Sequence, residues 1–316
     1  MAMQVTPLTL GVDVSMADLV CNRGGTDIET LPNTTGAICA WLRHLPPGSR
    51  LALEATGRFH LELAEQACRH GHRVYLIDGY RLNRYRESIG GRAKTDACDA
   101  RLLARYLAHE GDALAPWTPP PPGYGTLQQL LRRRAVLVRA RVALQQSLCG
   151  LASLKRTLTA LLRQFDRIDA LIRTQLRHAL QRAGWTAQAR RCQQIEGVGP
   201  LTATALTLTF QRGHFRSSDA FIAFLGLDVR VRDSGTSRGR RRLTKKGDGE
   251  VRRLLYLAAM TARRSAAWQP YYQRFVDRGL APTQALNVLA RKLARIAFSL
   301  MKNEADYVPK IACAAT

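Results

Sequence analysis

Four carboxylates early in the chain are spaced for shared chemistry. Asp13 interrupts the apolar, β-rich run Leu8-Thr-Leu-Gly-Val-Asp-Val-Ser15, where a carboxylate is costly unless paired or bound to a cation. Glu54 ends a second short run, Arg50-Leu-Ala-Leu-Glu54. Asp96 and Asp99 stand three apart in Lys94-Thr-Asp-Ala-Cys-Asp-Ala-Arg-Leu-Leu-Ala104, a spacing that puts both on one face of a helix. Carboxylates without histidine suit a hard, oxygen-preferring ion, Mg²⁺ or Mn²⁺. Such ions can bind the attacking and leaving oxygens of a phosphodiester. Taken singly, Asp96 could cap its helix and Asp99 could be solvated beside Arg101.

The opposite charge gathers later. Ten basic residues fall between positions 230 and 253, among them Arg238, Arg240, Arg241, Arg242, Lys245 and Lys246. Glycines 235, 239, 247 and 249 leave the backbone free to approach a ligand. Guanidinium groups around a hydroxyl would offset charge in a phosphoryl-transfer transition state. Composition alone leaves Ser234, Thr236 and Ser237 as ordinary loop hydroxyls. Upstream, residues 126–183 hold 12 basic and 2 acidic side chains, including the run Arg132-Arg133-Arg134. A face so one-sided points to phosphate contact more than to solvation. Ile195-Glu-Gly-Val-Gly-Pro-Leu-Thr-Ala203 reads as a helix-hairpin-helix turn, with Gly197 and Gly199 allowing tight geometry and Pro200 opening the next helix. Amides exposed at such a turn can grip a DNA phosphate without reading sequence, although an ordinary helix-helix turn has the same pattern.

The elements that must position these residues follow from periodicity. Residues 1–115 alternate β-rich runs (8–15, 50–54, 73–78) with helical spacing over 36–45 and 59–70, the pattern of an α/β layer domain. Residues 116–125 hold five prolines and two glycines and read as a linker. Residues 126–190 read as basic, coiled-coil-like helices, an antiparallel pair turning near Phe165 or Gly184. Residues 191–316 read as mostly helical around an irregular basic centre. The first 115 residues carry 13 basic and 13 acidic side chains, and the remainder carries 35 and 11, the whole of the +24 net charge. Such an excess calls for a polyanionic partner. With 46% hydrophobic residues the chain is not a disordered one. Seven scattered cysteines with no CxxC pair argue against a disulfide framework or structural zinc and for a reducing compartment. Neither a signal-peptide pattern nor an apolar run of membrane-spanning length is present, so the sequence reads as soluble and cytoplasmic, with no membrane partner. The phosphate-cradling P-loop pattern is missing, which points away from ATP.

Gly11-Val-Asp13-Val-Ser, Leu53-Glu54-Ala-Thr-Gly57, Lys94-Thr-Asp96-Ala-Cys-Asp99-Ala-Arg101, Ile195-Glu-Gly-Val-Gly199 and Asp233-Ser-Gly-Thr-Ser237 with Lys245-Lys-Gly247 occur in one order. In this the sequence resembles the DEDD transposases of bacterial insertion sequences, the bridge-RNA-guided recombinases, over about residues 8–303. The resemblance implies a RuvC-like, RNase H-type head with Asp13, Glu54, Asp96 and Asp99 binding Mg²⁺, a coiled-coil middle and a transposase domain. It implies that a serine attacks DNA to form a phosphoserine link, mapping onto Ser234, which Gly235 follows, in preference to Ser237. It further implies a homodimer with a composite active site, assembling into a tetramer on donor and target double-stranded DNA. A noncoding bridge RNA would select both DNAs, with the protein at the nucleoid when active. The competing expectations are a Holliday-junction-type nuclease using the carboxylates and metal-activated water, and a non-catalytic nucleic-acid-binding scaffold.

Overall fold

A computed structural model describes residues 7–55, 57–90, 95–231, 233–234, 237–239 and 241–309. The chain forms two compact units, residues 1–119 and 120–316.

The first unit is built on a five-stranded sheet of β1 (Thr9–Val14), β2 (Asp18–Asn22), β3 (Ile28–Pro32), β4 (Arg50–Glu54) and β5 (Arg73–Ile77), in the order β3-β2-β1-β4-β5. The first three strands form an antiparallel meander, while β4 and β5 run parallel to β1. Alternation assigns the two faces. Leu10, Val12, Leu51 and Leu53 pack with Ile38 and Leu42 of α1 (Thr35–Arg43) and Leu63 of α2 (Leu61–Arg69). On the other face Ala52, Tyr75 and Ile77 meet Leu82 of α3 (Gly79–Ser88) and Leu103 and Leu107 of α4 (Asp96–Glu110). The result is a sheet between helices, as the alternating pattern predicts. The Pro-rich stretch is less independent than its composition suggests. Trp117 donates its N–H to the Val74 carbonyl at 2.7 Å, bridging to β5, and Tyr124 and Gly125 already belong to a helix.

The second unit is mostly helical. A long hairpin of α5 (Tyr124–Ser147) and α6 (Lys155–Arg182) turns at residues 148–154, where Gly150 takes a positive φ of 87°. The turn thus lies ahead of both Phe165 and Gly184, because the left-handed backbone that glycine tolerates comes at Gly150. Next come α7 (Thr186–Gln193), α8 (Pro200–Gln211) and α9 (Ser218–Phe224), then the short pairs β6 (Val229–Arg230) with β9 (Arg242–Leu243) and β7 (Asp233–Ser234) with β8 (Ser237–Arg238). Helices α10 (Gly249–Ala262), α11 (Gln269–Asp277) and α12 (Pro282–Asn303) complete it. Every residue of α8 from Thr202 to Thr209 is buried, so this helix is the axis around which α7, α10 and α12 pack. Among the described residues, no helix is long and apolar enough to cross a membrane.

Candidate active site and nucleic-acid interface

Parallel pairing sets the first two carboxylates side by side. Val12 is in register with Leu53, and one step further brings Asp13 beside Glu54 at the ends of β1 and β4. Both point to the face that α3 and α4 cover. Helix α4 lies directly on β1 because residue 11 is glycine. A Cβ there would fall 2.0 Å from the Ala100 carbonyl oxygen and 2.3 Å from the Ala104 nitrogen. Two residues along the strand is about 6.8 Å and one helical turn about 5.4 Å, so Asp13 stands against the turn preceding Ala100, which carries Asp96 and Asp99. Thr95, not Asp96, caps the helix, its hydroxyl accepting from the Cys98 N–H at 3.2 Å.

The electrostatics record this convergence. Burial, and then the charges of Asp96, Asp99 and Glu54, push Asp13 up to about 6, opposed only by a hydrogen bond from the Val14 backbone. Asp96 is exposed, whereas Asp99 is buried and paired with Arg86 of α3 at 2.6 Å. Asp99 is therefore not solvated beside Arg101, which donates to the Thr26 carbonyl at 2.9 Å. Glu54 packs against the start of α3, where a Cβ on Gly79 would lie 2.4 Å from Glu54 Oε1. The all-oxygen donor set and the mutual repulsion at Asp13 fit a hard divalent cation. In this conformation, no three acidic, histidine or cysteine side chains among the described residues are drawn close enough to hold one. Asp99 is instead neutralised by Arg86.

The serine loop is built differently. β7 and β8 pair Asp233 with Arg238 and Ser234 with Ser237, which sets the two candidate serines opposite each other. Ser234 is exposed. Asp233 organises the loop, taking both Arg241 amino groups at 2.6 and 2.9 Å and the Gly239 N–H at 3.1 Å. The Arg241 guanidinium holds the Asp233 carboxyl below the usual carboxylate range. Arg242, Lys245 and Lys246 are exposed, Arg238 contributes backbone to β8, and Arg240 lies outside the described residues. Lys245 adopts a left-handed φ of 56°, and the chain on either side is locked backbone to backbone. A Cβ on Gly226 would lie 2.7 Å from the Lys246 nitrogen, and one on Gly247 would lie 2.4 Å from the Phe224 oxygen.

The remaining basic and glycine positions divide. Arg132 and Arg133 are exposed, but Arg134 is buried and forms an ion pair with Asp169 of α6 at 2.7 Å, stapling the hairpin. Gly197, at a φ of 86°, lies against α10, where a Cβ would come within 2.4 Å of the Ala258 oxygen, while Gly199 at the start of α8 faces open space. Sequence reasoning missed Gly11, Gly79 and Arg86. A glycine inside a strand is a known sign of close backbone approach and could have flagged Gly11. Arg86 carries no local signal, because its partner lies on another helix.

A DEDD-type IS110 model, described as Transposase, matches residues 10–164, and the Transposase IS116/IS110/IS902 family model matches residues 189–273. The first span contains all four carboxylates, and the second contains the helix-helix turn and the serine loop. The chain is 28% identical over 274 residues to the pilin gene-inverting protein of Moraxella lacunata, covering 83% of this chain and 82% of that protein. It is 27% identical over 306 residues to a probable family 20 transposase of Pseudomonas aeruginosa, covering 85% and 88%. It is likewise 27% identical over 338 residues to the insertion element IS116 44.8 kDa protein of Streptomyces clavuligerus, covering 82% and 84%.

Proposed function

The chain belongs to the IS110-type family of DEDD transposases, enzymes that act on DNA, and from that premise we propose that it cuts and rejoins donor and target duplexes through a phosphoserine link at Ser234, guided by a noncoding bridge RNA. The observation that carries the reading is that Asp13, half-buried at the end of β1, has Glu54, Asp96 and Asp99 all near enough to add charge repulsion to the effect of its burial. A sheet ordered β3-β2-β1-β4-β5, with an antiparallel meander leading into parallel strands, supports an RNase H-like head. The Gly197–Gly199 turn between α7 and α8 supports a helix-hairpin-helix.

Mg²⁺, or Mn²⁺, held by the four carboxylates would stabilise the charge building on the phosphate oxygens. Ser234 Oγ gives up its proton as it attacks phosphorus. The bond from phosphorus to one deoxyribose oxygen breaks, and that oxygen takes up a proton. The phosphodiester is retained as a serine ester. A second sugar hydroxyl can therefore displace Ser234 and reseal a strand without ATP. Arg242, Lys245 and Lys246 stand exposed to neutralise the phosphate, while Arg241 fixes the loop through Asp233. A homodimer, two of which form a tetramer, would bring donor and target DNA together.

The test uses the full chain purified with its bound RNA, Mg²⁺ and DNA bearing the element ends. The expected product is a denaturant-resistant protein–DNA adduct that Ser234→Ala removes, with strand exchange falling about 10⁴-fold or more. Adduct persisting in Ser234→Ala moves the nucleophile elsewhere, with Ser237 the next candidate. Free 3′-hydroxyl and 5′-phosphate ends without adduct replace this reading with a carboxylate-only nuclease. Sequencing the bound RNA tests the guide: one discrete species complementary to two DNA sites supports it, and heterogeneous RNA removes it.

A further inference from the structure

One groove of the helical unit shares only Lys246 with the chemistry above. It measures about 970 Å³ and lies between α5, α8 and the start of α10. Its walls are apolar, with Leu131, Ala135 and Val136 of α5 on one side and Leu208 of α8 and Phe224 of α9 on the other. Val136 and Phe224 remain 53% and 47% exposed. Large apolar side chains left in water at a concave site mark a binding place.

The rim is cationic. Arg132, Arg139 and Lys246 line the groove, are exposed, and have no ion-pair partner among the described residues. Two carboxylates also line it, but both are engaged. Asp248 accepts the Glu250 N–H at 2.8 Å and caps α10, while Glu250 holds Arg253 by two contacts of 2.6 and 2.8 Å. With Arg132, Arg139, Lys246 and Arg253 against Asp248 and Glu250, the groove joins a net positive rim to an apolar interior. A duplex backbone would satisfy the cations and leave the apolar walls in water, because paired bases are covered by their stack. An unpaired nucleotide satisfies both, its base on the aromatic ring and its flanking phosphates on the rim.

We infer that this groove receives an unpaired nucleotide of a polynucleotide strand, the base seated against Phe224 and Val136 and the phosphates held by Arg132, Arg139 and Lys246. The inference rests on the polynucleotide substrates of the reaction proposed above. It adds that the helical unit grips an unpaired segment in preference to a duplex.

The test measures binding of the full chain to end-labelled single strands of about ten nucleotides, as DNA and as RNA, and to a duplex of the same sequence. Single strands should bind more tightly than the duplex, and Phe224→Ala should weaken single-strand binding about tenfold while leaving duplex binding unchanged. Whichever of DNA and RNA shows the Phe224 effect is the strand that occupies the groove. Arg139→Gln should lower the salt slope by about one. A thermal melt checks the fold of each variant, and Val136→Ala, on an exposed face of α5, carries the same test if Phe224→Ala unfolds. Equal competition by duplex, or single-strand affinity unchanged in a folded Phe224→Ala or Val136→Ala protein, overturns the inference. The Ser234 adduct assay separates the two claims. Adduct with no strand preference removes the groove alone, and strand preference with no adduct removes the recombination mechanism alone.

Discussion

The carboxylate site and the serine loop are opposites in construction. Asp13 and Glu54 end paired strands, and Asp96 and Asp99 open a fifteen-residue helix seated on bare strand backbone at Gly11. Ser234 sits exposed on a two-residue strand whose neighbours are tied by the cluster of Asp233 with Arg241 and Gly239. The first site holds excess negative charge, relieved by Arg86. The second holds excess positive charge, relieved by Asp233. Each is left wanting the other sign, and a phosphodiester accompanied by a divalent cation, as proposed, would supply both. The contrast teaches that position is fixed where like charges must be forced together. Where the charge is attractive to substrate, the polynucleotide can complete the order.

If that contrast holds, Asp13→Asn has the largest effect of the substitutions outside the serine loop. Removing one charge from the centre of the cluster should cut strand cleavage about 10³-fold, while filter-binding affinity for nucleic acid stays at the wild-type level. A parallel loss of binding would break the separation of roles. Next, the adjacent arginines of α5 should behave unlike each other. Arg134→Ala leaves the partly buried Asp169 with one remaining partner, Arg173, and should lower stability by about 2 kcal/mol in denaturant titration. Gly79→Ala pushes on the flexible end of Glu54 and not on backbone, so melting should hardly change while cleavage falls about 10²-fold, as for a displacement on the order of 1 Å. A collapse of stability with no specific loss of rate would show that Gly79 serves the fold alone. The smallest effect belongs to Arg133→Gln, which should leave stability unchanged and reduce the salt dependence of binding by about one phosphate.

Much of this was legible in the sequence, for identifiable reasons. The central strands β1, β4 and β5 announce themselves as short apolar runs, and Asp96 and Asp99 as a helical pair. Strands β2 and β3 do not, since their exposed polar positions, such as Asp18 and Glu29, dilute the alternation. Helix α3 is too polar to show an apolar stripe and buries only Leu82. Arg134 was hidden inside a charge run, yet it continues the Leu127–Leu131 stripe at helical spacing, which marks it as inward-facing. Gly79 and Arg86 act through partners on other elements, Glu54 and Asp99. One chain read in order has no local pattern for contacts of that kind.

The interlock of Gly226 with Lys246 and of Gly247 with Phe224 has a consequence for how such a protein can change. It brings both ends of the segment 227–246 together at fixed backbone contacts, so the closure entropy of the loop is set by its length alone and grows only logarithmically. Lengthening it from about twenty to about twenty-five residues costs roughly 0.2 kcal/mol, less than one ordinary surface substitution. The segment that carries Ser234 is therefore a cassette. Its length and its content of arginine can drift while α8, α9 and α10 keep their packing.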